Sequence, residues 1–272
     1  MRRPLAPLGL VLILAAGPTW ARQGSPIRIA YQFPKASEAV KIYREMRSRQ
    51  VLEGLREIVS LVRLPRTLTL RLSECNGEIN AWYEYKTATV TVCYEYIQDV
   101  WDRAQKASSL ADLPRHGAIV GPIAQVFLHE TGHALFHLLD VPVLGHEEDA
   151  ADQFAALVLL RLRPTQARQV VAGIATLFAS YGAEERREEF ALADDHGLYS
   201  QRLYSLRCLA YGSDRRTFGY LVEDGDLPKE RVVSCRDEYG LAANAMDRLF
   251  HTHLHKGRME RERIRRGFHW VD

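Results

Sequence analysis

His129-Glu130-Thr131-Gly132-His133 precedes Glu148-Asp149-Ala150-Ala151-Asp152 with fourteen residues between His133 and Glu148. On an α-helix, His129 and His133 are four residues apart, so their imidazoles lie on one face and can converge on one ion. Glu130, one step round the helix, does not share that face as a ligand. It leans over the ion's open position, where it can take a proton from water. Glu148 is the natural third protein ligand, which leaves the fourth position to water. Asp152, one turn further on, falls where a carboxylate can orient a ligand histidine. Two imidazoles and a carboxylate point to Zn2+ and to hydrolysis.

The flanking sequence supports helices at both stretches. Ile119 to Leu139 reads as a buried helix, with Ile119, Ile123, Val126, Phe127, Ala134, Leu135, Leu138 and Leu139 apolar. Gly121-Pro122 makes a start with Pro122 at the first helical position, and Val141-Pro142 makes a stop. A second helix opens at Glu147-Glu148-Asp149, with acids in its first turn as the helix dipole favours, and runs to about Arg163. Two histidines and a carboxylate inside so apolar a helix are costly unless a metal compensates them.

A helical HExxH followed by Glu-x-x-x-Asp on the next helix resembles the gluzincin branch of the zinc metallopeptidases. The resemblance implies that His129, His133 and Glu148 hold zinc, that Glu130 is the general base and that Asp152 supports a ligand histidine. The chain more closely resembles a bacterial family of inferred metallopeptidases with no assigned function. The segments that carry this resemblance are Asn80-Ala81-Trp82-Tyr83, Val92-Cys93-Tyr94-Glu95, HETGH, Glu147 to Gln153, Gln201-Arg202 and Cys208 to Asp214. They span roughly Phe33 to Tyr239. One departure matters: the fourteen-residue spacing is short for a gluzincin, so Glu147 and Asp152 stay as alternative third ligands. The pattern HExxHxxGxxH is excluded, because its Gly and His positions are Phe136 and Leu139. His137 continues the histidine face but is displaced about 6 Å along the axis, which makes it a supporting or core residue.

Arg2-Arg3, the apolar run Leu5 to Ala16 and Thr19-Trp20-Ala21 read as a secretory signal peptide over residues 1–21, cleaved near Ala21. The run is too short for a stable membrane anchor. Export to the periplasm or the medium follows. The whole chain carries 36 basic and 34 acidic residues; removing Arg2 and Arg3 leaves 34 of each. A neutral mature chain argues against nucleic-acid binding. Its length of about 250 residues suits a single domain over 22–272. Within it we expect an N-terminal α/β subdomain at about 33–140, a helical C-terminal subdomain at about 141–256 and a charged tail at 257–272.

The fold class expected is α+β and zincin-like: a small antiparallel sheet, the HExxH helix and a mainly helical C-terminal half. Gly24 to Pro34 reads as an extended lead-in, Ser37 to Val62 as a helix, and Thr67 to Leu72 as a strand. Glu78–Tyr85 and Thr87–Tyr96 read as a hairpin. The strand Ala88–Val92 is the candidate edge for aligning an extended peptide or protein substrate. Four cysteines in an exported chain suggest two disulfides, and the local pairing is Cys75–Cys93 with Cys208–Cys235. Beyond Pro164, helices are expected at Thr165–Tyr181, Leu198–Tyr211 and Lys229 to about His255. The donor for a developing oxyanion should come from His196, Tyr199, Arg202, Tyr204 or Tyr211, with His196 and Tyr204 favoured. His251-Thr252-His253-Leu254-His255 reads as a solvated helix end before a frayed, charged terminus. The function expected is an exported zinc peptidase; the alternative is a zinc-binding protein of the same fold without peptidase activity.

Overall fold

The computed structural model describes residues 27–107, 115–185, 193–255 and 260–271. The expected signal peptide lies outside them. The architecture is α+β. One sheet holds β1 (Ile27–Tyr31), β2 (Leu68–Ser73), β3 (Ala81–Glu84) and β4 (Thr89–Cys93) in the order β1-β2-β4-β3. β1 pairs β2 and β2 pairs β4 in parallel, while β3 pairs β4 antiparallel. The sheet is therefore mixed, which corrects the expectation of an antiparallel one. The expected hairpin is present as β3–β4. The lead-in supplies β1, whose partner β2 lies beyond two helices. Leu68, Leu70 and Leu72 alternate onto the buried face, where Leu70 and Leu72 register with Val90 and Val92.

The single helix expected over 37–62 is two, α1 (Ser37–Ser48) and α2 (Val51–Val59), because Gln50 takes a left-handed backbone at φ 54°. Directly after β4 the chain enters α3 (Tyr94–Ala107), not more strand. α4 is Arg115–Leu139, so Pro122 sits inside the helix instead of at its start. The Gly121-Pro122 segment marks a crossing. A Cβ on Gly121 would stand 2.3 Å from the carbonyl oxygen of Val170, and one on Gly173 would stand 2.2 Å from that of Gly117. α4 and α6 (Pro164–Glu184) thus meet backbone to backbone.

The C-terminal half continues with α7 (Tyr199–Ser213), two single turns α8 (Arg215–Phe218) and α9 (Tyr220–Glu223), and α10 (Lys229–Phe250). Disulfides join Cys75 to Cys93 and Cys208 to Cys235, as the sequence suggested. His251 and His255 are solvent-exposed, as expected of a helix end. The terminus beyond them differs from expectation. Val62 bridges Leu254, Arg63 N–H donates to His253 O at 2.7 Å, and His255 N–H donates to Leu61 O at 3.0 Å. α11 (Arg261–Gly267) then packs on α2, with Ile264 and Phe268 fully buried. Alternate faces of this arginine-rich stretch separate charge from apolar mass, so a charged composition concealed a docking face.

Candidate metal centre

α4 and α5 (Glu147–Leu159) build the centre, and the turn between them brings their faces together. Asp140 adopts φ 53°, the left-handed conformation that ends a helix, and Val141 N–H donates back to Phe136 O at 2.9 Å. Pro142 cannot extend the helix. Gly145 at φ 89° completes a reversal that leads straight into Glu147. Gly132 permits close approach of α5: a Cβ there would lie 3.3 Å from Ala151 Cα and 3.4 Å from Phe154 Cδ1. The short spacing after His133 is thus sufficient to bring the first turn of α5 over the histidines.

His129 Nε2 lies 2.9 Å from Glu148 Oε2 and 3.2 Å from His133 Nε2; His133 Nε2 lies 3.3 Å from the same Glu148 oxygen. Donors about 2.1 Å from a tetrahedral ion stand roughly 3.3 Å from one another, so these three atoms have the spacing of three corners of such a site. The far nitrogens are also engaged. His129 Nδ1 is 2.8 Å from Asp152 Oδ1, and His133 Nδ1 is 2.7 Å from Glu147 Oε1. Ionised carboxylates only accept, so each Nδ1 carries a proton, and Nε2 is the atom that would offer its lone pair to a bound ion. His196 Nε2 is 2.8 Å from Glu148 Oε2. His129, Glu148 and His196 form a group whose donor atoms could hold a metal ion.

The charges of this cluster are strongly coupled. Burial alone would lower the His129 pKa, but its hydrogen bonds to Asp152 and Glu148 raise it to about 9. Burial would raise Glu148 and Asp152; the three histidines hold Glu148 far below the carboxylate range, and Arg202 with His129 does the same for Asp152. Glu130 is pushed upward, chiefly by burial, against the pull of His129 and His133. It is a carboxylate with raised proton affinity beside the converging donors, which suits a general base.

The centre opens into a cleft of about 580 Å³ whose walls include Trp82, Tyr83, Tyr96, Phe178, Tyr199 and Arg202. The structure brings His129, Glu130, His133, Glu148 and His196 together on this cleft, with Asp152 directly behind. Tyr204 does not line it. Two residues along a helix turn the direction by about 200°, so with Arg202 facing Asp152, Tyr204 points outward and is 42% exposed. Ala88–Val92 is corrected as the edge strand: β4 is paired on both sides, and the edges are β1 and β3. β3 lies on the cleft through Ala81, Trp82 and Tyr83. His137 is neither core nor ligand; it is solvent-exposed, bonded to Tyr83 Oη at 2.9 Å and packed on Tyr85.

Sequence reasoning missed one contributor, Gln125, and gave two others, Arg202 and Glu147, a different role. Gln125 Nε2 donates to Asp152 at 3.0 Å; it stands one turn before His129, and that spacing could have flagged it. Arg202 grips Asp152 through two bonds of 2.7 and 2.9 Å, and nothing in sequence links residues so far apart. Glu147 was weighed as a ligand but faces His133 Nδ1, the nitrogen turned away from the convergence point. No curated protein and no solved structure matches the chain. A family described as "Putative metallopeptidase" matches residues 31–250, most of the sequence and all of this centre, and the chain belongs to that family.

Proposed function

We propose that the protein is an exported zinc peptidase of gluzincin type, folded as one domain over residues 22–272. The observation that carries this reading is the tetrahedral-corner spacing of His129 Nε2, His133 Nε2 and Glu148 Oε2 beside the buried Glu130. His129, His133 and Glu148 would hold Zn2+, with Asp152 and Glu147 fixing the two rings from behind. When bound, zinc polarises a carbonyl and makes water acidic enough to attack near neutral pH. Glu130 accepts the proton of the attacking water and passes it to the leaving amine. His196, at the mouth of the centre, supplies the donor to the developing oxyanion. An extended peptide adds to the β3 edge, which lies along the cleft. Export is supported by the two disulfides, which persist in oxidising compartments. No helix among the described residues is long and apolar enough to cross a membrane.

Elemental analysis and peptide hydrolysis on one set of variants test this reading. The unmutated protein should hold about one zinc per chain, with the metal lost or much weakened in His133→Ala and Glu148→Ala. Glu130→Gln should keep the zinc and lose hydrolysis by about 10²–10⁴-fold. Full activity in Glu130→Gln would end the mechanism, and no zinc in the unmutated protein would end the assignment.

A further inference from the structure

We infer that His196 is a fourth protein ligand of the metal in the substrate-free protein, so that the centre is closed at rest and opens when this imidazole is displaced. The inference rests on the metal-binding reading above and adds a resting state to it. Three histidines here share one construction. Each presents Nε2 to the same oxygen, Glu148 Oε2, at 2.9, 3.3 and 2.8 Å for His129, His133 and His196. Each has a carboxylate at Nδ1: Asp152 at 2.8 Å, Glu147 at 2.7 Å and Asp194 at 3.3 Å. A carboxylate behind the ring fixes the tautomer that leaves Nε2 free to ligate.

His196 is also held in register. Its own backbone N–H donates to Asp194 Oδ1 at 2.8 Å, and its ring stacks on that of His129 with centroids 5.8 Å apart. Four protein donors make a closed centre of the kind found in structural sites, whereas a hydrolytic centre needs one position open. Of the three imidazoles, His196 is the one able to yield. His129 and His133 are 5% and 9% exposed on a continuous helix, while His196 is 43% exposed on the irregular segment before α7. A substrate seated in the cleft displaces it. An empty cleft then leaves the centre idle.

X-ray absorption at the zinc edge of the zinc-loaded protein counts imidazoles directly. The unmutated protein and Glu130→Gln should show three per zinc, and His196→Ala and His196→Gln two, with zinc bound roughly tenfold or more weakly in both. Two imidazoles in the unmutated protein, unchanged in both His196 variants, would overturn the proposal while leaving the His129, His133 and Glu148 centre standing. Failure of the unmutated protein to take up zinc would instead overturn the reading beneath it.

Discussion

The carboxylate of Asp152 serves three partners at once. It accepts from His129 Nδ1, from Gln125 and, through two bonds, from Arg202. Arg202 is itself sandwiched near the rings of Phe178 and Tyr199, at 4.8 and 5.2 Å. A guanidinium fork fits a carboxylate bidentately and an ammonium does not. Replacing it with Met should leave a largely buried carboxylate short of its counter-charge and cost about 3 kcal/mol, read from urea unfolding. Arg202→Lys should fall between the two. At this scale the sequence was informative wherever chemistry is local: His129, Glu130 and His133 lie on one turn, and Glu148 and Asp152 on another. It offered Arg202 only as a donor candidate and not as the partner of Asp152, because a contact across fifty residues leaves no spacing to read. Tyr204 was a plausible donor by residue type, and only the phase of α7 sends it outward.

Two glycines on α4 separate packing from placement at the level of helices. Gly121 faces a carbonyl oxygen on α6 that cannot turn aside, so Gly121→Ala should destabilise the fold by about 1–3 kcal/mol in thermal unfolding. Gly132 faces Ala151 with a few tenths of an ångström to find, and alanine favours helix by about 0.5–1 kcal/mol. Gly132→Ala should change stability by less than about 1 kcal/mol, yet weaken metal binding in titration by shifting α5 away from α4. Asp214 caps the turn α8, accepting from the Thr217 hydroxyl at 2.6 Å and from the Arg216 N–H at 2.9 Å. The Thr217 hydroxyl is the main reason its pKa falls below the ordinary 3.8. A depressed carboxylate stabilises the fold above that value and loses the contribution as pH falls through the folded pKa. Asp214→Ala should therefore cost about 1 kcal/mol at pH 7, with the difference from the unmutated protein shrinking as the carboxylate is protonated in acid. Helices with strong period were legible, to within a few residues for α6 and α7. α3 was not: Tyr94-Glu95-Tyr96 continues the alternation of β4, and its helical stripe of Tyr94, Ile97, Val100 and Ala104 emerges only over three turns.

For the molecule as a whole, metal and fold are one equilibrium. A ligand present at a hundred times its Kd adds about 2.7 kcal/mol, so saturating zinc should raise the midpoint of thermal unfolding by roughly 5–10 °C over chelator-treated protein. An unchanged midpoint would show that these histidines and carboxylates stabilise the fold equally well without metal. The mixed sheet was the part of the architecture least visible in sequence. Parallel pairing of β1 with β2 depends on what α1 and α2 place between them, and no local pattern encodes it. The packing of α11 on α2 bears on the order of assembly. Gly54 and Gly267 lie so close that a Cβ on the former would fall 2.1 Å from the carbonyl oxygen of the latter. A latch between residues near opposite ends of the described chain closes late, since its loop entropy is met only by contacts of very long sequence separation. A chain threaded outward from its N-terminus would therefore stay without its native latch until Gly267 had emerged, long after the sheet and the turn between α4 and α5 were free to form.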